Sequence, residues 1–183
     1  KDVAFDTKSA TVNGYPTRVY GLCTLLGKVN LNIESQKINV NTLKNVITTS
    51  YLTKEMANAL NAIEKATGNV KVAISLDGLV DRFSKDIAKE MKKLKIDGKI
   101  QLLGNTVILN GFGAPISAVT GKINFSEKEI KGENLKIKLG SSPLTASIIG
   151  TLPQNGKQSN LNISANGTNL NLTDTLNFVS KAN

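Results

Sequence analysis

SAVTGKINFSEKEIKGENLKIKLGSSPLTASIIGTL, residues 117–152, decides how the rest of the chain is read. Val119, Ile123 and Phe125 share one phase of its first segment. Leu135, Ile137 and Leu139 do the same in the second, with Lys136 and Lys138 between them, and Leu144, Ala146 and Ile148 in the third, after a Gly140-Ser141-Ser142-Pro143 turn. Successive side chains of a strand point to opposite faces, so apolar residues at every second position give a sheet with one dry face and one wet face. Three such segments joined by short polar turns predict an antiparallel meander. The functional question is what lies against the dry face.

Working outward, the same alternation returns on both sides. Upstream, Val29, Leu31 and Ile33 alternate with Lys28, Asn30 and Asn32, and Val70, Val72, Ile74 and Leu76 end at Asp77-Gly78. Residues 10–12 and 18–24 read as strands separated by the turn Asn13-Gly14-Tyr15-Pro16, and residues 1–8 as a polar lead with one short apolar patch at Val3 to Phe5. Residues 98–103 and 106–109 read as two strands joined by a tight hairpin at Gly104-Asn105. Downstream, residues 160–165 and 168–172 read as strands, with a short tail helix capped at Thr173.

The period changes twice. Leu52, Met56, Ala59, Leu60 and Ile63 recur at three and four residues, which predicts a helix over residues 50–67 stopped by Gly68. Val80, Phe83, Ile87, Met91 and Leu94 predict a second, basic one over about 80–94. A basic amphipathic helix can lie on a membrane surface. Packing of its apolar stripe onto the sheet is the simpler expectation. The fold class read from these patterns is mainly β with two flanking helices, a curved antiparallel meander forming an open groove.

Composition removes several classes of function. Only 4% of residues are aromatic and none is Trp, which argues against base-stacking platforms for nucleic acid. The formal charge of +9 favours anionic surfaces, although the lysines are scattered apart from a cluster over residues 89–95. Cys23 is alone and His is absent, so an intrachain disulfide, a histidine-containing zinc site and a nucleophilic triad are all excluded. Gly111-Phe112-Gly113 opens no helix and is no phosphate cradle, and the Asp77, Asp81 and Asp86 spacing is not that of a calcium loop. No cofactor or metal is therefore expected, and the chain does not read as an enzyme. No apolar run approaches the roughly 18 residues that span a bilayer. The chain begins at Lys1 without Met and reads as a piece of a longer protein.

Gly27-Lys28-Val29-Asn30-Leu31 is echoed by Gly121-Lys122-Ile123-Asn124-Phe125 at an offset of 94. This suggests one segment, 1–183, built from two weak repeats over about 10–78 and 97–172, with meanders that extend one sheet lengthwise.

The order of Asn110-Gly111, then residues 119–125, a polar turn, Asn134-Leu135-Lys136-Ile137, Gly140-Ser141-Ser142-Pro143-Leu144 and Gly150-Thr151-Leu152 resembles the carboxy-terminal region of AsmA-like bacterial envelope proteins. The resemblance covers residues 97–172 and rests on strand rhythm and glycine placement. With TamB and YhdP, the large members of that group are similar in fold to bridge-type lipid transfer proteins built from β-groove units. The resemblance implies a periplasmic segment of a protein anchored in the inner membrane by a helix this chain lacks, with envelope proteins among its partners. It further implies that phospholipid acyl chains lie between the two membranes along an apolar groove.

Carried onto this sequence, the groove falls on Val119, Ile123, Phe125, Leu135, Ile137, Leu139, Leu144, Ala146 and Ile148. Lys28, Lys122, Lys136 and Lys138 are the expected headgroup contacts. The competing expectation is a non-catalytic scaffold or assembly domain whose apolar face docks protein.

Overall fold

The alternation seen in the sequence carries through ten strands of one sheet. The computed structural model describes residues 2–12, 14–43, 61–81, 83–86, 89–90, 93–151 and 160–180. The strands are β1 (Asp2–Val12), β2 (Tyr15–Thr24), β3 (Lys28–Asn39), β4 (Ile63–Thr67), β5 (Asn69–Leu79), β6 (Lys95–Leu109), β7 (Ile116–Ser126), β8 (Glu129–Leu139), β9 (Ser142–Thr151) and β10 (Asn160–Asn166). Spatial order follows chain order from β1 to β10, every pairing is antiparallel, and β4 and β5 lie end to end along β6. The sheet does not close into a barrel. Among the described elements, the main close contacts run between hydrogen-bonded neighbours and between β8 and one C-terminal helix, α1 (Leu172–Val179), so the open meander is a single layer there.

Irregularities line up across the middle of this sheet. Register shifts fall between Ser35 and Ile38 in β3, between Leu103 and Asn105 in β6, between Ser117 and Thr120 in β7 and between Gly132 and Leu135 in β8. They border one row of partners: Ile38 opposite Val70, Val70 opposite Leu102, Leu102 opposite Gly121, and Leu135 opposite Ala146. Ala118 and Asn134 adopt left-handed φ angles of 50° and 55° within it. Each bulge bends its strand and adds right-handed twist. A row of them curves the sheet along one line.

Asn105 pins this line. It is almost fully buried, its amide donates to the carbonyls of Thr67 and Asn69 at 3.2 Å each, and its Oδ1 accepts from Leu103 N at 2.9 Å. Gly68 allows the approach, since a Cβ there would lie 2.8 Å from the Asn105 amide nitrogen. The expected hairpin at Gly104-Asn105 is therefore a bulge inside one continuous strand, β6. Local turn chemistry is overridden because β5 and β4 continue as partners past Gly68.

Other expectations are corrected in the same way. Residues 44–60, most of the expected first helix, lie outside the described residues, but Ile63–Thr67 is strand β4, paired with the end of β6 and burying Ala66. Pairing here outweighs helical spacing, and β-branched Ile63 and Thr67 suit a strand. Of the second helix, residues 82, 87, 88, 91 and 92 lie outside the described residues; residues 83–86 are irregular, with a turn at 83 and a bend at 85, and 89–90 are helical. Here Glu90 is buried, accepting from Asp81 N at 2.8 Å and from Lys93 Nζ, instead of facing water as its place opposite the apolar stripe suggested. The Asp81 amide first, then Lys93, holds its carboxyl below the usual carboxylate range. Residues 1–8 are no polar lead, since β1 begins at Asp2. Thr168 to Asn171 form no strand, and α1 is capped by Asn171, whose Oδ1 accepts from Thr173 N and Asp174 N.

The helix α1 closes one end of the sheet. Asp174 accepts from Ser141 N at 2.8 Å and Ser141 Oγ at 2.7 Å, which keeps its carboxyl below the usual range. Phe178 stacks on Phe112 with centroids 4.5 Å apart, and its carbonyl accepts from Gly113 N.

Candidate functional site: one apolar face of the sheet

Residues paired across an antiparallel sheet share a face, so the registers assign every strand. Starting from Ile137, opposite Leu144, the apolar face takes Leu135, Leu139, Ala146 and Ile148 on β8 and β9. Ile123 and Phe125 join it on β7 through their partners Gly132 and Ile130, and Val119 through its alternation with Thr120. All nine residues expected in the groove therefore stand on one face. The same face runs on through Ile100 and Leu102, Val70 to Leu76, Val29 to Ile33, Val19, and Val3 and Phe5 to one edge, and through Leu161 and Ile163 to the other.

These nine are not equally accessible. Val119, Leu135, Ile137, Leu139 and Ala146 are buried, whereas Ile123, Phe125, Leu144 and Ile148 are half-buried. Four of the buried ones, Val119, Leu135, Ile137 and Ala146, pack as a cluster bordered by Leu102, Ile116, Ile123, Leu144 and Ile148. How a single layer buries Leu135 to 2% exposure is explained by glycines. A Cβ on Gly121 would fall 2.7 Å from Leu135 Cδ2, and one on Gly98 would fall 2.1 Å from Phe125 Cζ. Gly132 lies against Ile123 and Leu135, and Gly150 against Ile130 and Leu161. Each large side chain lies sideways over the bare backbone of its neighbour strand and so is covered by the sheet itself. Gly98, Gly121, Gly132 and Gly150 all fall in the apolar phase of their strands. That phase was the sequence signal for them, and for the missed Leu161 and Ile163.

The opposite face is polar, and the expected headgroup lysines belong to it. Lys122 is opposite Gln101, Lys136 opposite Thr145, Lys138 opposite Pro143 and Lys28 opposite Leu79. The alternation that put them between groove residues sends them through to the other side, so they do not line the apolar face. Near β1 the polar face carries a cross-strand ladder. Arg18 binds Asp6 through two hydrogen bonds of 2.9 and 2.7 Å, lies 4.5 Å from the Tyr20 ring centroid, and Tyr20 donates to Glu34 at 2.8 Å. Arg18 holds the Asp6 carboxyl low, and the bond to Glu34 raises the Tyr20 phenol. A hollow of about 510 Å³ crosses the middle of the polar side, lined by Glu34, Ser75, Asp97, Lys99, Asn124 and Lys131 among others. Among the described residues no three Asp, Glu or Cys side chains converge as a metal site.

Comparison with protein-family models, curated proteins and solved structures finds no match to this chain.

Proposed function

We propose that this chain holds phospholipid acyl chains against the apolar face of its sheet, as a non-catalytic periplasmic segment of an AsmA-like envelope protein. The observation that carries the reading is the continuity of that face from β1 to β10 with no second layer over it among the described elements. Apolar surface on that scale needs a cover. Acyl chains supply one, gaining about 0.8 kcal/mol per buried methylene without directional partners.

The residues of this face divide into two roles under this reading. Leu135, Ile137 and Ala146 form a floor already packed by the protein. Leu144 and Ile148, half-buried, and Leu161 and Ile163, exposed beside them, form the surface a hydrocarbon tail would touch. Headgroups then reach water past the sheet edge rather than between the strands.

That packed floor favours the second reading, a scaffold whose apolar rim docks an envelope protein. Lipid extraction from the purified chain followed by mass spectrometry separates the two. Acyl binding predicts co-purifying phospholipid that is lost in Ile163→Asp, a site 63% exposed and so removable without unfolding. Absence of lipid from the wild-type protein rejects acyl binding and leaves the scaffold.

A further inference from the structure

The end of the sheet opposite α1 carries a second apolar feature. At the tip of the β2–β3 turn Leu25 is half exposed and Leu26 is 90% exposed. Gly27 in that turn accepts from Val80 N at 2.9 Å, and Lys28 pairs with Leu79, so the turn is fastened to the start of the segment that follows β5. Leu79 is also exposed, and three residues beyond Val80 the Phe83 side chain is 78% exposed. Four large apolar side chains therefore stand out at one end of the molecule, on two tied loops.

Charge surrounds them asymmetrically. Residues 79–95 contain six basic and three acidic residues. All three acids bond backbone amides of their own segment: Asp81 accepts from Phe83 N, Asp86 from Lys89 N and Glu90 from Asp81 N. Lys28, Lys85, Lys89 and Lys95 form no ion pair among the described residues. Amide bonds hold these carboxylates against their own segment without cancelling their charge, and six basic less three acidic residues leave the segment at +3, with those four ammonium groups outside any ion pair among the described residues.

We propose that this end docks on bilayer surfaces containing anionic phospholipid, with Leu26 and Phe83 inserted among the headgroups and Lys28, Lys85, Lys89 and Lys95 against their phosphates. Protruding apolar tips ringed by lysine match an interface that is oily within and negative at its surface. An acidic protein would satisfy the lysines but not the exposed apolar side chains of Leu26 and Phe83. The proposal does not depend on acyl binding along the sheet.

The test is sedimentation of the chain with vesicles of equal parts phosphatidylglycerol and phosphatidylcholine, against phosphatidylcholine alone. Binding is expected only to the mixed vesicles and is expected to weaken as salt rises. Leu26→Asp and Phe83→Asp should each lower partitioning about tenfold or more. Lys85→Gln should lower it about fivefold. Lys138→Gln, at the α1 end, should leave it unchanged, and unaltered melting curves verify that all four variants fold. Failure of the wild-type chain to bind mixed vesicles overturns the proposal, as does wild-type binding by Leu26→Asp and Phe83→Asp. An equal loss in Lys138→Gln and Lys85→Gln overturns it too, since net charge alone would then explain binding. Ile163→Asp should lose acyl lipid yet still sediment, which keeps this proposal separable from the one above.

Discussion

The middle and the rims of the apolar face share one pattern of sequence and differ in how they meet water. In the middle, Leu135 lies over Gly121 and Phe125 over Gly98, and the row Val70, Leu135, Ala146 is buried although no described layer covers it. At the rims, Val3 and Val12 on β1 and Leu161 and Ile163 on β10 are exposed. An inner strand has backbone on both sides for a side chain to lie across, and an edge strand has it on one side only. A single-layer sheet can thus bury its own centre by pairing large residues with glycines, but its margins need another molecule.

The largest effect expected from this contrast is at the centre. Ile137→Asp places a charge without a partner inside the packed cluster and should unfold the chain, a loss of about 3–5 kcal/mol seen as absence of a cooperative melt. Retention of the fold in Ile137→Asp would mean the centre is as open as the rims. Asn105→Ala strands the Leu103 amide and two carbonyls at the line of bulges and should cost about 1–3 kcal/mol in urea unfolding. Ala118→Gly relieves a left-handed φ of 50° at an exposed site and should stabilise by about 1 kcal/mol. An unchanged denaturation midpoint there would mean that the bulge carries no strain.

At the rim, Ile163→Asp should alter stability by less than about 0.5 kcal/mol. A loss comparable to that of Ile137→Asp would remove the distinction between the two regions. The smallest effect concerns the α1 end. The folded Asp174 carboxyl titrates below its unfolded value, so its contribution is complete above about pH 4 and disappears as pH falls through the folded pKa. Amide exchange at Gly113, whose N–H is held by Phe178, should accelerate relative to β8 amides in that acid range and in Asp174→Ala. Exchange at Gly113 that does not change would detach Asp174 from the docking of α1.

How far the sequence could be read varied with the range of the interaction. The nine residues 119 to 148 fell on one face because alternation needs nothing beyond the strand itself. The same geometry sets Lys28, Lys122, Lys136 and Lys138 on the face behind the apolar residues they neighbour in sequence. Gly104-Asn105 is ambiguous in sequence because a bulge and a turn draw on the same residues, and only the presence of β4 beyond Gly68 distinguishes them. Residues 63–67 carry a helical signal because Ile63 fits a helical stripe, while its strand partner, Leu109, lies far along the chain. The cap at Asn171 was missed by two positions, since Thr173 and Asn171 are both competent and the bond from Asn171 N to Ser142 Oγ fixes the choice.

By itself the sequence determined a mainly β chain whose strands are oily on one side and charged on the other. The pleat forces that division on any extended chain carrying this period. Tertiary structure alone decided which turn signals became bulges, where β4 lies, and which apolar residues the sheet covers. Each of these depends on a backbone neighbour that is remote in the chain, and hydrogen bonding to that neighbour outweighs the local preference of two or three residues.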